Sequence, residues 1–223
     1  MKKLYILFIP LLFAIAASGQ PAADDEFRQF VSWGLIAGPN LTGYRMNVAG
    51  SEYAPDKTHC GLGLEAGALL EYHITTQWSM TLTATGNIER VRFSVNDSTD
   101  VLTTFGTDIS ASATYRLPLR QGTVLISAGP YTHFVFTSLM TGDGAIPNPY
   151  TRVISNDPHT GEASFAMNDF NAGFMFDAGY EFDSRWQVHL NLKWGVSDLL
   201  NYDSHELYTK PYKIGVLLSY SFQ

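Results

Sequence analysis

A hydrolytic or transfer site built on a nucleophile needs Ser or Cys near a His that an acid orients. The chain offers this combination only weakly. His205 stands between Ser204 and Glu206, but neighbours along a strand face opposite ways, so the three could act together only from a loop. His133 falls in an alternating segment without a matching Ser. His59-Cys60 and Asp157-Pro158-His159 lack the ligand spacing of a structural zinc site. The reading is a protein with no catalytic, metal-binding or cofactor-binding residue, and so not an enzyme. Cys60 is the lone cysteine, which leaves no internal disulfide to form.

A second kind of chemistry lies in single charges set among small and apolar residues. Glu65, Glu71, Asp108, Asp177 and Glu181 are of this kind, with Arg116, Lys193 and Lys213 as counter-charges and His73, His133 and His189 on the same faces. Inside a protein such groups either conduct protons or ions, or hold the interior together as pairs. Buried charges persist only when paired. That favours a structural network of Glu65, Glu71, Asp108, Arg116, Asp177, Glu181 and Lys193. If the turn Asp183-Ser184-Arg185 sets the register, Asp177 lies opposite Asn191 and diagonal to Lys193. An ion pair between Asp177 and Lys193 is then expected.

The elements that position these residues are read from a period of two, which runs through eight segments. In the seventh, Trp186, Val188, Leu190, Leu192, Trp194 and Val196 share one face, and Gln187, His189, Asn191, Lys193, Gly195 and Ser197 share the other. The first segment sets Trp33, Leu35, Ala37 and Leu41 against Ser32, Gly34, Gly38, Asn40 and Thr42. In the third, which runs from Trp78 through Met80, Leu82 and Ala84, the parity slips near Glu89-Arg90. A bulge, or a strand rising above a membrane, would explain the slip. Short links at Thr75-Thr76-Gln77, Pro118 to Gly122 and Asp183-Ser184-Arg185 alternate with long ones at about 45–60, 94–104, 138–168 and 198–210. The 138–168 link, with Tyr150 and Phe165, is the longest and reads as a binding surface or a disordered loop.

Alternation alone does not say which face is inside, and a soluble lipocalin-like barrel has the same pattern. Two features favour apolar-out. The non-apolar face is mainly Gly, Ser, Thr and Asn, where a water-facing surface would carry more Lys and Glu. The aromatic residues also gather at the ends of the apolar stripes. Trp33, Trp78, Trp186, Tyr220 and Phe222 fall on the short-turn rim, and Trp194 and Tyr212 near the long-loop rim. Such girdles bound the lipid-facing band of membrane barrels. The fold expected is all-β, an eight-stranded antiparallel up-and-down transmembrane β-barrel with short periplasmic turns and long extracellular loops. Eight strands leave an interior that side chains fill, so a wide pore is not expected.

The first residues read as an export signal. Lys2 and Lys3 precede an apolar run from Leu4 to Ala17, and Ala17-Ser18-Gly19 supplies small residues for cleavage before Gln20. The domain plan is a signal peptide at 1–19, a short periplasmic extension at 20–30 and the barrel at 31–223. A net charge of −7, with no run of Lys and Arg, argues against nucleic acid as a partner.

The chain also resembles the PorT-like eight-stranded outer-membrane barrels of Gram-negative bacteria. The likeness rests on Trp33-Gly34-Leu35-Ile36-Ala37-Gly38-Pro39-Asn40-Leu41, on Ser127-Ala128-Gly129-Pro130-Tyr131 and on the Gly-rich stretch from Asn171 to Phe182. The last segment, Lys213 to Tyr220, looks like the signal read by the barrel-insertion machinery, although the chain ends in Gln223 after Phe222. The resemblance implies an integral outer-membrane protein with membrane lipid and that machinery as partners. It further implies an accessory role in the envelope or in protein secretion, through a protein partner. An outer-membrane lipid-modifying enzyme is the alternative from another class.

Overall fold

A computed structural model describes residues 30–47, 57–95, 98–143, 148–150, 167–199 and 208–222. Residues 1–29, where the export signal and its cleavage site are expected, lie outside the described residues, as do Ser204-His205-Glu206, Asp157-Pro158-His159, Phe165 and Gln223. The strands are β1 (Phe30–Asn47), β2 (Lys57–His59), β3 (Gly61–His73), β4 (Trp78–Val95), β5 (Ser98–Leu119), β6 (Gly122–Gly142), β7 (Phe170–Phe182), β8 (Trp186–Gly195) and β9 (Tyr208–Phe222). Only Cys60 separates β2 from β3, and both pair with β4, so together they form one broken stave.

All pairings are antiparallel. The ring runs β1-β3-β4-β5-β6-β7-β8-β9 and closes where β9 pairs with β1. A closed ring leaves no unpaired edge, which is what a bilayer demands of a sheet. The chain is an eight-stave up-and-down β-barrel.

Which face is inside is now a matter of exposure. Leu64 and Leu190 are 63% and 56% exposed, whereas their neighbours Glu65 and Asn191 are 3% and 5%. Apolar residues cover the outside and polar ones fill the lumen, the reverse of a lipocalin. The aromatic residues form cross-strand pairs on the wall. Trp33 stacks on Phe222 at 4.3 Å, Trp78 meets Tyr115 at 5.1 Å, and Trp186 meets Tyr220 at 5.1 Å. Each pair joins residues directly opposite in the ladder, where side chains touch most closely.

The short rim is built from tight turns. Ile74 and Thr75 donate their amides to the Trp78 carbonyl, and the Thr75 hydroxyl accepts from the amides of Gln77 and Trp78. At the β5–β6 hairpin Gly122 takes φ 153°, and at the β7–β8 turn Arg185 takes φ 67°. A glycine suits the first, because a Cβ there would meet the Glu181 carbonyl oxygen at 2.3 Å.

At the other end the strands run much further than the sequence pattern suggests. The link expected at 94–104 is a hairpin, since β4 continues to Val95 and β5 starts at Ser98. Likewise β1 extends to Asn47, β6 to Gly142, and β9 begins at Tyr208. The reason is a change of solvent. In β4 the odd positions point inward without a break, from Ser79 through Glu89 to Val91 and Phe93, and the exposed even positions pass from Ile88 to Arg90 and Arg92. There is no bulge at Glu89-Arg90. The strand rises beyond the apolar band, and its polarity turns inside out.

Inside this outer extension is an apolar core of Tyr44, Val91, Phe93, Leu102, Met167 and Leu199, with Met46, Met140 and Tyr150 packed against it. The bulge in the barrel lies elsewhere. Phe105 pairs with Thr137 but Gly106 pairs with Val135, which leaves Phe136 as the extra residue of β6, 73% exposed. Beyond it the faces exchange, so that Leu139 points out and Met140 joins the core.

Candidate functional site

The lumen below the apolar core is where the sequence-identified charges meet. Nearest the short-turn rim, Arg116 of β5 donates to Glu71 of β3 at 2.7 Å and pairs with Glu181 of β7. Ser79 donates to the same Glu71 at 2.5 Å, and His73 lies 3.6 Å from its other oxygen under the stacked ring of Phe30.

One step further in, Asp177 of β7 meets His189 Nδ1 at 2.9 Å and accepts from Asn191 at 3.2 Å. Beside this polar group, Ile36, Leu69 and Leu217 form an apolar patch that narrows the lumen. A cavity of about 50 Å³ remains between them, room for a few waters.

The third layer is the most heavily charged. Asp108 of β5 accepts from Lys193 of β8 at 2.6 Å and Lys213 of β9 at 2.7 Å, and lies 2.6 Å from His133 Nδ1. Lys193 also donates to Glu65 at 2.8 Å, and Lys213 pairs with Glu89. The Asp177–Lys193 pair expected from the sequence does not form. The register is as expected, with Asp177 opposite Asn191. Ring closure, however, brings β3 and β5 across the lumen within reach of Lys193, and Asp177 takes His189 instead.

Among the described residues below the apolar core, the lumen network thus holds six carboxylates: Glu65, Glu71, Glu89, Asp108, Asp177 and Glu181. Against them stand the permanent cations Arg116, Lys193 and Lys213, and the histidines His73, His133 and His189, each against one of those acids. The network is a balanced lattice if the histidines carry protons, and it is acid-rich if they do not.

Two groupings escaped the sequence reading because their members lie on different strands. Glu89, Asp108 and His133 bring ligand atoms within 4.8 Å of one another, with the Lys213 ammonium already bound to both carboxylates. Asp177, His189 and Ser219 form a chain, since His189 Nε2 lies 3.0 Å from Ser219 Oγ. This is the order of acid, base and hydroxyl used by hydrolases. Here, though, Ser219 is 1% exposed and its hydroxyl also donates to Gln187 Oε1 at 3.0 Å.

The outer mouth is closed by part of the long 138–168 link. Asn148 accepts from Ser138 Oγ at 3.0 Å and donates to its carbonyl, and the Pro149 carbonyl accepts from the Met167 amide at 2.8 Å. Tyr150 thereby packs onto the apolar core, its hydroxyl 3.5 Å from that of Tyr44. Burial pushes both phenols above their ordinary pKa. Cys60 sits on the outside wall with Sγ 2.9 Å from the Tyr212 hydroxyl. The Tyr212 ring reaches it by lying flat over Gly43, where any Cβ would come within 2.6 Å.

Solved structures similar to the chain include outer-membrane β-barrel proteins, at low sequence identity. OprG, an outer membrane protein of Pseudomonas aeruginosa, aligns at TM-score 0.46 and 8% identity over 88% of this chain and 98% of its own. Neisserial surface protein A aligns at 0.45 and 9%, over 86% and 99%. The outer membrane enzyme PagL aligns at 0.43 and 10%, over 81% and 98%. No protein-family model and no curated protein matches the chain.

Proposed function

We propose that the protein is a non-enzymatic barrel of the Gram-negative outer membrane, exported with cleavage of its leader. In this reading it serves as an envelope or protein-secretion accessory of the PorT-like kind, engaging a protein partner at its outer loops or periplasmic rim. The observation that carries this is the closed interior. Ion pairs cross the lumen from β8 to β3 and β5, and an apolar core fills the outer mouth. A barrel whose lumen is crossed by ion pairs and capped by an apolar core, with only a vestibule of about 260 Å³ at its short-turn end, acts through its surfaces and rims. Crosslinking in native membranes followed by affinity isolation should recover an envelope or secretion protein at near-stoichiometric yield. Recovery of the barrel alone would count against the proposal.

The second reading, a lipid-modifying enzyme, draws support from the Asp177–His189–Ser219 chain. A fluorophosphonate probe that labels the folded protein and fails on Ser219→Ala, together with altered lipid A in a deletion strain, would favour it. The burial of Ser219 predicts no labelling.

A further inference from the structure

The sequence has no run of basic residues, yet the fold assembles one on the outside of the barrel. At the edge where the apolar band ends, Lys210 of β9, Arg45 of β1, His59 of β2 and Arg90 and Arg92 of β4 follow one another around neighbouring staves. Their outward direction follows from parity. Thr209, Tyr44 and Val91 point in, while His59, Arg90 and Arg92 are exposed. The opposite half of the wall bears Phe105, Phe136, Leu139, Phe170 and Val196 at its outer end, all exposed and uncharged.

Two features of this belt, seen among the described residues, favour a bound anion. Arg45 stands directly opposite Lys210 in the ladder, and Arg90 and Arg92 project from the same face of β4 two residues apart. Like charges in directly opposed positions destabilise a sheet, and among the described residues no carboxylate pairs with Arg45, Arg90, Arg92 or Lys210. Arg45 is moreover held in place. Its guanidinium lies 3.8 Å over the Trp194 ring and donates to the Gly195 carbonyl at 3.2 Å. An arginine fixed by stacking loses little entropy on binding and offers its remaining Nη N–H groups to a phosphate.

We propose that this belt binds the phosphates of outer-leaflet glycolipid, with Arg45, Arg90 and Arg92 as the main contacts. The height selects the occupant. The belt begins one outward position beyond Ile88 on β4 and beyond Tyr212 on β9, where acyl chains give way to headgroups. A soluble phosphate would gain the charge contacts alone, whereas an acylated, bisphosphorylated disaccharide also covers the apolar wall beneath.

The test uses full-length mature protein folded in neutral detergent, with lipid binding read by native mass spectrometry. Lipid A, its monophosphorylated form, phosphatidylglycerol and phosphatidylcholine are the probes, and millimolar inorganic phosphate is the competitor. Bisphosphorylated lipid A should bind tightest and survive the phosphate. The Arg45→Gln/Arg90→Gln/Arg92→Gln variant should bind it about tenfold more weakly or worse, with Arg120→Gln at the periplasmic rim unchanged. Arg90→Gln/Arg92→Gln serves if the triple variant does not fold, with a loss of about threefold or more expected. Smaller losses, equal binding of phosphatidylglycerol, or full displacement by inorganic phosphate would each overturn the assignment.

Discussion

Along β4, Leu82 faces out and Thr83 faces in, whereas further along the same strand Arg92 faces out and Phe93 faces in. Phe93 is 0% exposed and Leu82 is 49% exposed. One stave therefore carries two opposite codes, and the change falls between Ile88 and Arg90. In the lower region the surroundings are hydrocarbon, so the wall is apolar and the interior must satisfy its own polar groups. In the upper region the surroundings are water, and an ordinary buried apolar core becomes favourable. The comparison teaches that alternation records the solvent on each side of a sheet rather than a fixed inside and outside.

The largest effects should come from removing the group that each region depends on. In the lower region Lys193→Met leaves Glu65 and Asp108 with less compensation, which should cost about 3–5 kcal/mol. Adding Asp108→Asn should recover part of this if the two are coupled. In the upper region Phe93→Ala should cost a similar ~3–5 kcal/mol through an unfilled cavity. Urea titration of refolded protein, followed by heat-modifiable gel migration, measures both. A neutral Lys193→Met would mean that the charges are solvated rather than structural.

Next in size is the response of the wall to charge. Leu190→Arg, on the apolar band of β8, should destabilise by about 2–4 kcal/mol. Thr99→Arg, exposed at the outer end of β5, should change stability by no more than about 0.5 kcal/mol. Equal costs at the two positions would erase the distinction between the regions.

The smallest expected effect is a loosening of the outer core in alkali. Tyr44 and Tyr150 have pKa values raised by burial, so the folded state keeps them protonated after the unfolded chain has begun to ionise near pH 10. Their contribution is complete below that pH and declines as pH rises above it. Protease cleavage of the outer loops should quicken above about pH 10, and less so in Tyr44→Phe. An unchanged cleavage rate up to pH 11 would show that these phenols do not limit opening.

The lower region was legible because its code is strict: Trp186 to Val196 alternate without exception, and the Asp183-Ser184-Arg185 turn sets the β7–β8 register. The upper region was not, because inverted alternation looks like a broken strand. The slip at Glu89-Arg90 therefore read equally as a bulge or as the strand rising above the membrane. The lumen partners were only half legible. Which acids and bases face inward follows from parity, but Lys193 chooses Glu65 and Asp108 across the ring, and no local spacing encodes that distance. The basic belt was invisible for the same reason, with Arg45, Arg90 and Lys210 far apart in the chain.

The most direct test of the inversion is a nitroxide scan of β4 in a Cys60→Ser background, in lipid bilayers. Labels at Leu82, Ala84 and Ile88 should collide with dissolved oxygen, as lipid-exposed sites do. Labels at Arg90 and Arg92 should instead collide with a water-soluble nickel chelate, and one at Phe93 with neither. A lipid signature continuing from Leu82 through Arg92, or a water signature already at Leu82, would contradict the account.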